Sequence, residues 1–371
     1  MLSIIVPAHN EEKNMTSVLD RLIQQNDRDG NRMAVDTYRI IVVVSAKTTD
    51  NTEAIVKKYI EREKSVQIYL TQDPGNGFVE ARLAGINFIL DNEDMNKFTQ
   101  YIAFCDADLI VPDIWVNTIL TSFADDNYDV ISFAGTFPLD FWKRVPKLAQ
   151  KYYDEVGTIF FDKSTIEYYQ FDDKCLFTEG LFQRFGRPLS GGCYSIRKSK
   201  YLSCGGYIKE YKDENKTDEL DGPTWRMMFR LYQQGVRVYY SRENAFECSA
   251  RRMVADPSEF FSIKQYDKMN ELKHYRDIDD KSYDNLENLS DHIDFEPIRM
   301  YVIEYYIFLW IINDISLLTN NRDFFGTTYD NIYQDIMNWN DSIKEKTSLK
   351  VFDFAKILRE KYAEQIISVI S

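Results

Sequence analysis

The sequence predicts an α/β protein with a mostly parallel sheet flanked by helices, followed by a C-terminal helical region. Over the first half of the chain, short β-branched runs alternate with amphipathic helical patterns, which is typical of parallel βαβ winding. Polar residues follow each of the first four predicted strands, and beyond about residue 256 only helical patterns remain. We therefore expect one domain at residues 1–255 and a helical region at residues 256–371.

Composition limits the kind of partner that this protein binds. The 371 residues are 44% hydrophobic and 15% aromatic, enough for a packed core. The 45 basic and 59 acidic residues give a formal net charge of −14. Such a surface repels phosphate backbones, so we do not expect nucleic acid as a partner. A small nucleotide is compatible with this charge, because a bound metal neutralises it locally.

The five cysteines are odd in number and scattered, and they form no C-x-x-C pair: Cys105, Cys175, Cys193, Cys204 and Cys248. This pattern indicates neither a disulfide framework nor a zinc site.

Two features bear on the compartment. The chain begins with L-S-I-I-V-P, which reads as a first strand and lacks the basic region and cleavage site of a signal peptide. The longest apolar stretch, residues 301–318, contains Glu304, Asn313 and Asp314, so it predicts a buried helix without a transmembrane span. We therefore expect a cytoplasmic protein.

The strands are predicted in order from short apolar runs. They fall at residues 2–6, 39–44, 66–70, 101–105 and 129–133, with an amphipathic helix after each of the first four. Pro7 ends the first run, and the residues 49–52 suit the start of the second helix.

The second half of the domain is predicted from turn and capping residues. The chain from about 141 to 187 is aromatic, charged and helical in pattern, and a glycine-rich turn at Gly191 and Gly192 then enters a strand. Pro223 is suited to the first position of a helix capped by Asp221 or Gly222. Residues 236–240 form another strand, and two long helical patterns, 298–318 and 351–370, follow.

Four polar loops are expected at one edge of the sheet, at residues 10–11, 49–50, 75–77 and 106–108. The carboxyl ends of parallel strands meet at the same edge, and ligands of such sheets bind there. The sequence therefore predicts a single binding site.

Asp106 and Asp108 are the strongest site signal. They follow the apolar strand at residues 101–105, and residues two apart in an extended chain point to the same side. Paired carboxylates repel each other unless a cation lies between them. Hard oxygen ligands of this kind suit Mg²⁺ or Mn²⁺ held together with a substrate diphosphate.

The motifs P-A-H-N-E-E, T-D-N-T, A-R-x-x-G, D-A-D, G-G and R-L-Y-Q-Q-G occur in this order, and with them the chain resembles the family 2 glycosyltransferases. The resemblance covers roughly residues 1–252. It implies the Rossmann-like GT-A fold and a nucleotide-sugar donor. It assigns donor binding to Pro7, Ala8, Asn10, Glu11, Ser45, Arg82, Asp106, Ala107, Asp108, Gly191, Gly192 and Arg252. It also implies that Asp108, with Asp106, holds Mn²⁺ or Mg²⁺ in a DXD motif.

The chain departs from the family pattern at the base-reading position. Family members carry D-D-x-S-T-D-x-T after the second strand, where this chain has the residues 45–52, S-A-K-T-T-D-N-T. Asp50 survives and is expected to cap a helix, but the base-reading carboxylate is missing. Ser45 can still accept a hydrogen bond from a base.

The catalytic base is expected in the acidic loop at residues 213–221. Inverting family members place an E-D pair at the start of the helix that ends in R-x-x-x-x-G. Arg230 and Gly235 match that helix end, but no E-D pair aligns with its start. Asp221 is the first candidate, because it lies at the helix cap; Asp218 is the second and Glu219 the third.

A third metal ligand is not evident among the histidines, His9, His274 and His292. The sequence as a whole predicts a metal-dependent inverting glycosyltransferase whose acceptor is a small molecule, a glycan or a lipid-linked sugar. Two alternatives remain open at this stage: a non-catalytic nucleotide-binding partner in glycan assembly, and a nucleotidyltransferase of the same fold. The oligomeric state is not predicted.

Overall fold

A computed structural model describes residues 1–146 except 76, 125 and 126, residues 177–260 except 256, residues 283 and 286, and residues 295–370. The strands are β1 Leu2–Ala8, β2 Tyr38–Ser45, β3 Gln67–Asp73, β4 Tyr101–Cys105, β5 Leu109–Ile110, β6 Val130–Thr136, β7 Cys193–Arg197 and β8 Val238–Cys248. They form one sheet in the order β3-β2-β1-β4-β7-β6-β8-β5.

The helices of the first part are α1 Glu12–Ile23, α2 Thr52–Arg62, α3 Phe78–Asp91, α4 Glu93–Phe98, α5 Trp115–Ala124, α6 Leu139–Arg144, α7 Phe177–Phe185, α8 Lys198–Ser203, α9 Pro223–Gln233, α10 Arg251–Ala255 and α11 Pro257–Phe260. The C-terminal helices are α12 Glu296–Ile303, the π-helix Glu304–Phe308, α13 Leu309–Asn313, α14 Ile315–Asn320, α15 Arg322–Phe325, the 3₁₀ helix Gly326–Thr328, α16 Tyr329–Ser342 and α17 Ser348–Ile370. No helix in these ranges is long and apolar enough to cross a membrane.

The first three ladders of the sheet confirm the predicted parallel winding. β1 pairs in parallel with β2 and with β4, and β2 pairs in parallel with β3. β7 then inserts between β4 and β6 and runs antiparallel to both. The sheet is therefore mostly parallel, and the antiparallel strand brings the Gly191–Gly192 turn to the end of β4.

Alternate residues of the central strands fill two apolar layers. Ile5 and Phe104 belong to the layer that contains α3, α9 and the C-terminal helices. Ile4 and Val6 point to the opposite layer, which is closed by α1, α2 and α5. Because the C-terminal helices bury their apolar faces against the sheet layer, the predicted C-terminal helical region is in contact with the α/β part.

Three local predictions are refined by the structure. The long helix predicted at 298–318 is interrupted at Asp314, which is extended and accepts a hydrogen bond from the Ser316 N–H at 3.0 Å, so it caps α14. Pro223 does begin α9, and Gly222, with φ of +64°, is its cap. The predictions on Cys175, His274, His292 and the middle of the aromatic segment lie outside the described residues.

Candidate active site

The loops after β1 and β2 are joined by side-chain hydrogen bonds. The Thr49 N–H donates to Asn10 Oδ1 at 2.8 Å, and the Glu11 N–H donates to Thr52 Oγ1 at 2.7 Å. Asp50 accepts from the backbone N–H of Thr52 at 2.9 Å and of Glu12 at 3.0 Å. Asp50 therefore satisfies the starts of both α1 and α2, which is the capping role expected from the sequence.

Asp106 is held between α3 and the glycine turn. Its Oδ1 lies 2.7 Å from Arg82 Nη2, and the same guanidinium donates to the Gly191 carbonyl at 3.2 Å. The Asp106 N–H donates to the Gly192 carbonyl at 2.9 Å. A Cβ added at Gly192 would lie only 2.9 Å from Asp106 Oδ2, so the turn leaves room for this carboxylate and for nothing larger. Arg82, Asp106 and the glycine pair thus form one hydrogen-bonded unit.

Asp108 is held by a residue that the sequence analysis did not select. Arg251, at the start of α10, donates to both oxygens of Glu11 at 2.7 and 2.9 Å and to Asp108 Oδ2 at 3.1 Å. The arginine is 4% exposed, and Glu11 is 5% exposed. This guanidinium bridges the first loop and the DXD motif across the site.

The sequence offered a partial signal for this bridge. Arg251 and Arg252 are adjacent in C-S-A-R-R, and the resemblance pointed to Arg252. In the structure Arg252 is half-buried and acts on Asp106 through its charge, whereas Arg251 makes the direct contacts. Only the path of β8 decides which arginine enters the site.

The donor set suits a divalent cation shared with a ligand. Three carboxylates, Glu11, Asp106 and Asp108, face two buried guanidiniums, and Asp106 Oδ2 and Asp108 Oδ1 make no hydrogen bond to a described residue. Within the described ranges no cluster of three or more His, Cys, Asp or Glu side chains could hold a metal. A cation here would take its remaining ligands from phosphate and water, as Mg²⁺ commonly does.

Burial changes the acidity of this site. It raises the pKa of Asp106 to about 6, and the nearby Asp108 and Glu11 charges add to the rise while Arg82 opposes it. Burial likewise raises the pKa of the Cys105 and Cys193 thiols beneath the motif. None of the described cysteines forms a disulfide, as expected from the sequence.

The three candidate bases lie in different surroundings. Asp221 Oδ2 lies 2.8 Å and Asp218 Oδ2 3.5 Å from Lys212 Nζ, and both carboxylate side chains are 57% exposed. Glu219 instead lies against the start of α3, where a Cβ added at Gly77 would be 2.5 Å from its Oε2. Burial raises the pKa of Glu219, and the Lys209 charge opposes the rise.

Arg226 of α9 fixes both ends of the acidic loop. It donates to the carbonyls of Ile208 at 3.1 Å and Leu220 at 2.8 Å, and it pairs with Glu210 at 2.5 Å. Ser348, the first residue of α17, donates to the same Glu210 carboxylate at 3.0 Å. The C-terminal helices are therefore connected to the loop that carries the candidate bases.

Comparisons with known proteins bear on the family and the fold of the chain. Residues 3–177, just under half of the chain, match the model described as "Glycosyl transferase family 2". The match and the sheet topology together confirm the predicted GT-A class of fold.

A curated relative and several solved structures are similar to parts or all of the chain. An uncharacterized protein of Methanocaldococcus jannaschii is 30% identical over 143 residues, which are 38% of this chain and 53% of that protein; the matched region thus spans about half of the relative. A mannosyltransferase from Pyrobaculum calidifontis, in complex with GDP-Man and Mn²⁺, is 15% identical over 99% of this chain and 86% of its own, with a TM-score of 0.42. TarS residues 1–349 from S. aureus are 13% identical over 98% of this chain and 91% of that one, with a TM-score of 0.45.

Proposed function

We propose that this protein is a metal-dependent inverting glycosyltransferase that moves a sugar from a nucleotide-diphosphate donor to an acceptor hydroxyl. The observation that carries the proposal is the Glu11–Arg251–Asp108 bridge beside the Asp106–Arg82 pair, at the carboxyl end of β4. These contacts hold two aspartates in place in a domain that matches the family 2 glycosyltransferase model, and the resemblance to that family implies a nucleotide-sugar donor.

The donor diphosphate is expected beside Asp106 and Asp108. These aspartates would hold Mn²⁺ or Mg²⁺, which offsets the charge that develops on the leaving nucleoside diphosphate. Arg82 and Arg251 orient the two carboxylates, and Arg252 adds positive charge close to Asp106. Gly192 has no side chain, so the turn can lie against the Asp106 carboxylate beside the expected donor diphosphate.

The nucleoside end is expected over the loops after β1 and β2. Pro7 and Ala8 end β1 beneath this position, Asn10 bridges to Thr49, and Ser45 is buried at the end of β2. Glu11 supports the ribose side only indirectly, because both of its oxygens are committed to Arg251.

We assign the acceptor base to Glu219 ahead of Asp221 and Asp218. Its carboxylate is half-buried, its raised pKa brings it nearer the working pH of a general base, and it faces Gly77. Gly77 and Arg82 lie five residues apart at the start of α3, about 7.5 Å along the helix axis. An acceptor hydroxyl between Glu219 and the Arg82–Asp106 pair can be deprotonated for in-line attack on the anomeric carbon.

The two parts of the chain would have different roles in this reaction. Residues 1–255 would bind the donor and carry out the transfer. The helical region at 256–371 would shape the acceptor side, because α17 contacts Glu210 below the acidic loop. The acceptor class, whether a small molecule, a glycan or a lipid-linked sugar, is decided on that side.

The test is a binding panel followed by turnover. UDP, GDP, ADP, TDP and CDP are titrated by calorimetry with Mn²⁺, with Mg²⁺ and with EDTA, for the wild type and for Asp108→Asn. We expect tight binding of at least one nucleotide with metal, and its loss in EDTA and in Asp108→Asn. Asp113→Asn, an exposed aspartate five residues downstream, is the matched control.

Each outcome decides between the candidate functions. Absence of binding by any nucleotide would overturn the proposal. Binding without hydrolysis or transfer of the matching sugar nucleotide would instead favour the non-catalytic partner.

A further inference from the structure

Asp73 is a buried carboxylate that the reaction scheme above does not use. It is the last residue of β3 and is 3% exposed. Its Oδ1 accepts a hydrogen bond from the Gly75 N–H at 2.6 Å, which shapes the glycine loop. Its Oδ2 is buried and has no hydrogen-bond partner among the described residues. An unpartnered buried carboxylate oxygen is costly, and its retention calls for an explanation.

The position of Asp73 supplies one. In the β2–β3 ladder Asp73 pairs in register with Ser45, the residue that stands where family members carry the base-reading carboxylate. Neighbouring parallel strands lie about 4.8 Å apart. A carboxylate moved from the end of β2 to the end of β3 therefore stays at the same part of the sheet edge.

The backbone of Gly75 lies close to both Ser45 and Asp73. A Cβ added at Gly75 would lie 2.9 Å from Ser45 Oγ and 2.7 Å from Lys47 Cγ. Gly75 and Gly77 both have positive φ, +74° and +127°, which residues with a side chain rarely adopt. Gly75 thus approaches Ser45 with its backbone alone.

We propose that Asp73 is the base-reading carboxylate of this protein, that it acts together with Ser45, and that it selects donors whose base presents a ring N–H: uracil, thymine or guanine. This inference rests on the proposed function, because it names the donor class of that same site. The orphaned Oδ2 accepts the ring N–H, and the Ser45 hydroxyl donates to the adjacent carbonyl. A carboxylate cannot donate, so the ring nitrogen acceptors of cytosine and adenine are left opposite a negative charge.

Burial raises the pKa of Asp73, and the Glu80 charge adds to the rise, whereas the hydrogen bond from the Gly75 N–H and the charges of His9 and Lys47 oppose it. The ring N–H of a bound base would supply the hydrogen bond that Asp73 Oδ2 lacks among the described residues.

The decisive experiment compares UDP with CDP, which differ only on the base edge. Calorimetry with Mn²⁺ on the full chain is expected to show tighter binding of UDP than of CDP by about ten- to a hundredfold, the usual worth of one hydrogen bond to a charged group. Where GDP is the tight ligand, ADP takes the place of CDP in the same comparison. The amide of Asp73→Asn can donate to a ring nitrogen as well as accept from a ring N–H. We therefore expect the ratio of UDP affinity to CDP affinity to fall at least about tenfold in this variant.

The controls separate recognition from folding. Asp73→Asn removes an unpaired buried charge at constant shape, so its unfolding temperature is expected to match or exceed that of the wild type. Asp91→Asn, at the exposed end of α3, should leave the ratio unchanged. Ser45→Ala should weaken the binding of the preferred nucleotide.

The possible failures are distinguishable. If the wild type binds nucleotides and Asp73→Asn keeps the wild-type preference, the inference is overturned while the proposed function stands. If the wild type prefers CDP or ADP, the inference is overturned as well. If the wild type binds no nucleotide, the proposed function itself falls.

Discussion

Arg251 donates a hydrogen bond to Asp108 at 3.1 Å although the two residues are 143 positions apart in the chain. The same guanidinium is held by Glu11 through two shorter hydrogen bonds. The start of α10 therefore positions Asp108, the aspartate proposed to hold the metal, and the first loop positions the arginine.

The first prediction concerns the stability that this bridge provides. Arg251→Met leaves the carboxylates of Glu11 and Asp108 without their buried partner, and we expect the free energy of unfolding to fall by about 3–5 kcal/mol. Urea denaturation at neutral pH measures it. Arg28→Met, at an exposed arginine, should change it by less than about 0.5 kcal/mol. Equal effects of the two substitutions would contradict the burial of the bridge.

The second prediction uses the adjacent glycines as a matched pair. In Gly192→Ala the new methyl group would lie 2.9 Å from Asp106 Oδ2 and 3.1 Å from Leu109 Cδ1, so the carboxylate must move. We expect nucleotide affinity with Mn²⁺ to drop by about tenfold or more, because a small displacement at such a site is costly. In Gly191→Ala the nearest atom, Thr224 Oγ1, is 3.4 Å away, and affinity should stay near that of the wild type. The reverse order would show that Asp106 is not placed by the turn.

The third prediction separates the candidate bases. Glu219→Gln should lower the rate of donor-sugar hydrolysis by about a hundredfold or more while leaving nucleotide affinity unchanged, because the base is lost and the donor site is not. Release of nucleoside diphosphate measures the rate. Asp221→Asn and Asp218→Asn, on the Lys212 side of the loop, should retain most of the hydrolysis rate. A larger loss in Asp221→Asn than in Glu219→Gln would restore the order expected from the sequence.

The fourth prediction links metal affinity to pH. Since burial raises the pKa of Asp106 to about 6, this carboxyl takes up a proton as the pH falls through that value and can no longer ligate a cation. Mn²⁺ affinity is therefore expected to be constant at higher pH and to fall as the pH decreases through about 6. Titration calorimetry between about pH 5 and 8 measures it. Asp106→Asn should bind Mn²⁺ more weakly and without this inflection; an unchanged inflection would assign the proton to another group.

Local patterns in the sequence predicted the strands and helices around the site because each depends on neighbouring residues. β4 and the two aspartates after it, the glycine turn before β7 and the cap before Pro223 are all of this kind. The break at Asp314 was missed because one capping carboxylate outweighs a long apolar pattern on both sides of it.

The contacts that complete the site could not be read from local patterns. Arg251 contacts Glu11, which is 240 positions away in the chain, and Asp73 pairs in register with Ser45 of the neighbouring strand; only the order and register of the sheet bring these residues together. For the candidate bases, the spacing to Pro223 favours Asp221, and the half-buried surroundings of Glu219 are the reason why we propose Glu219 instead.

The antiparallel pairing of β7 with β4 has a consequence for protein engineering. Cys105 and Cys193 are paired in register, and the Asp106 N–H is bonded to the Gly192 carbonyl, so the donor motif and the chain that follows it are joined by main-chain atoms. Main-chain ladders tolerate exchange of the side chains that they carry. The acidic loop and α9, which lie between β7 and β8, could therefore be exchanged for another sequence while the pairing of β4 with β7 stays intact.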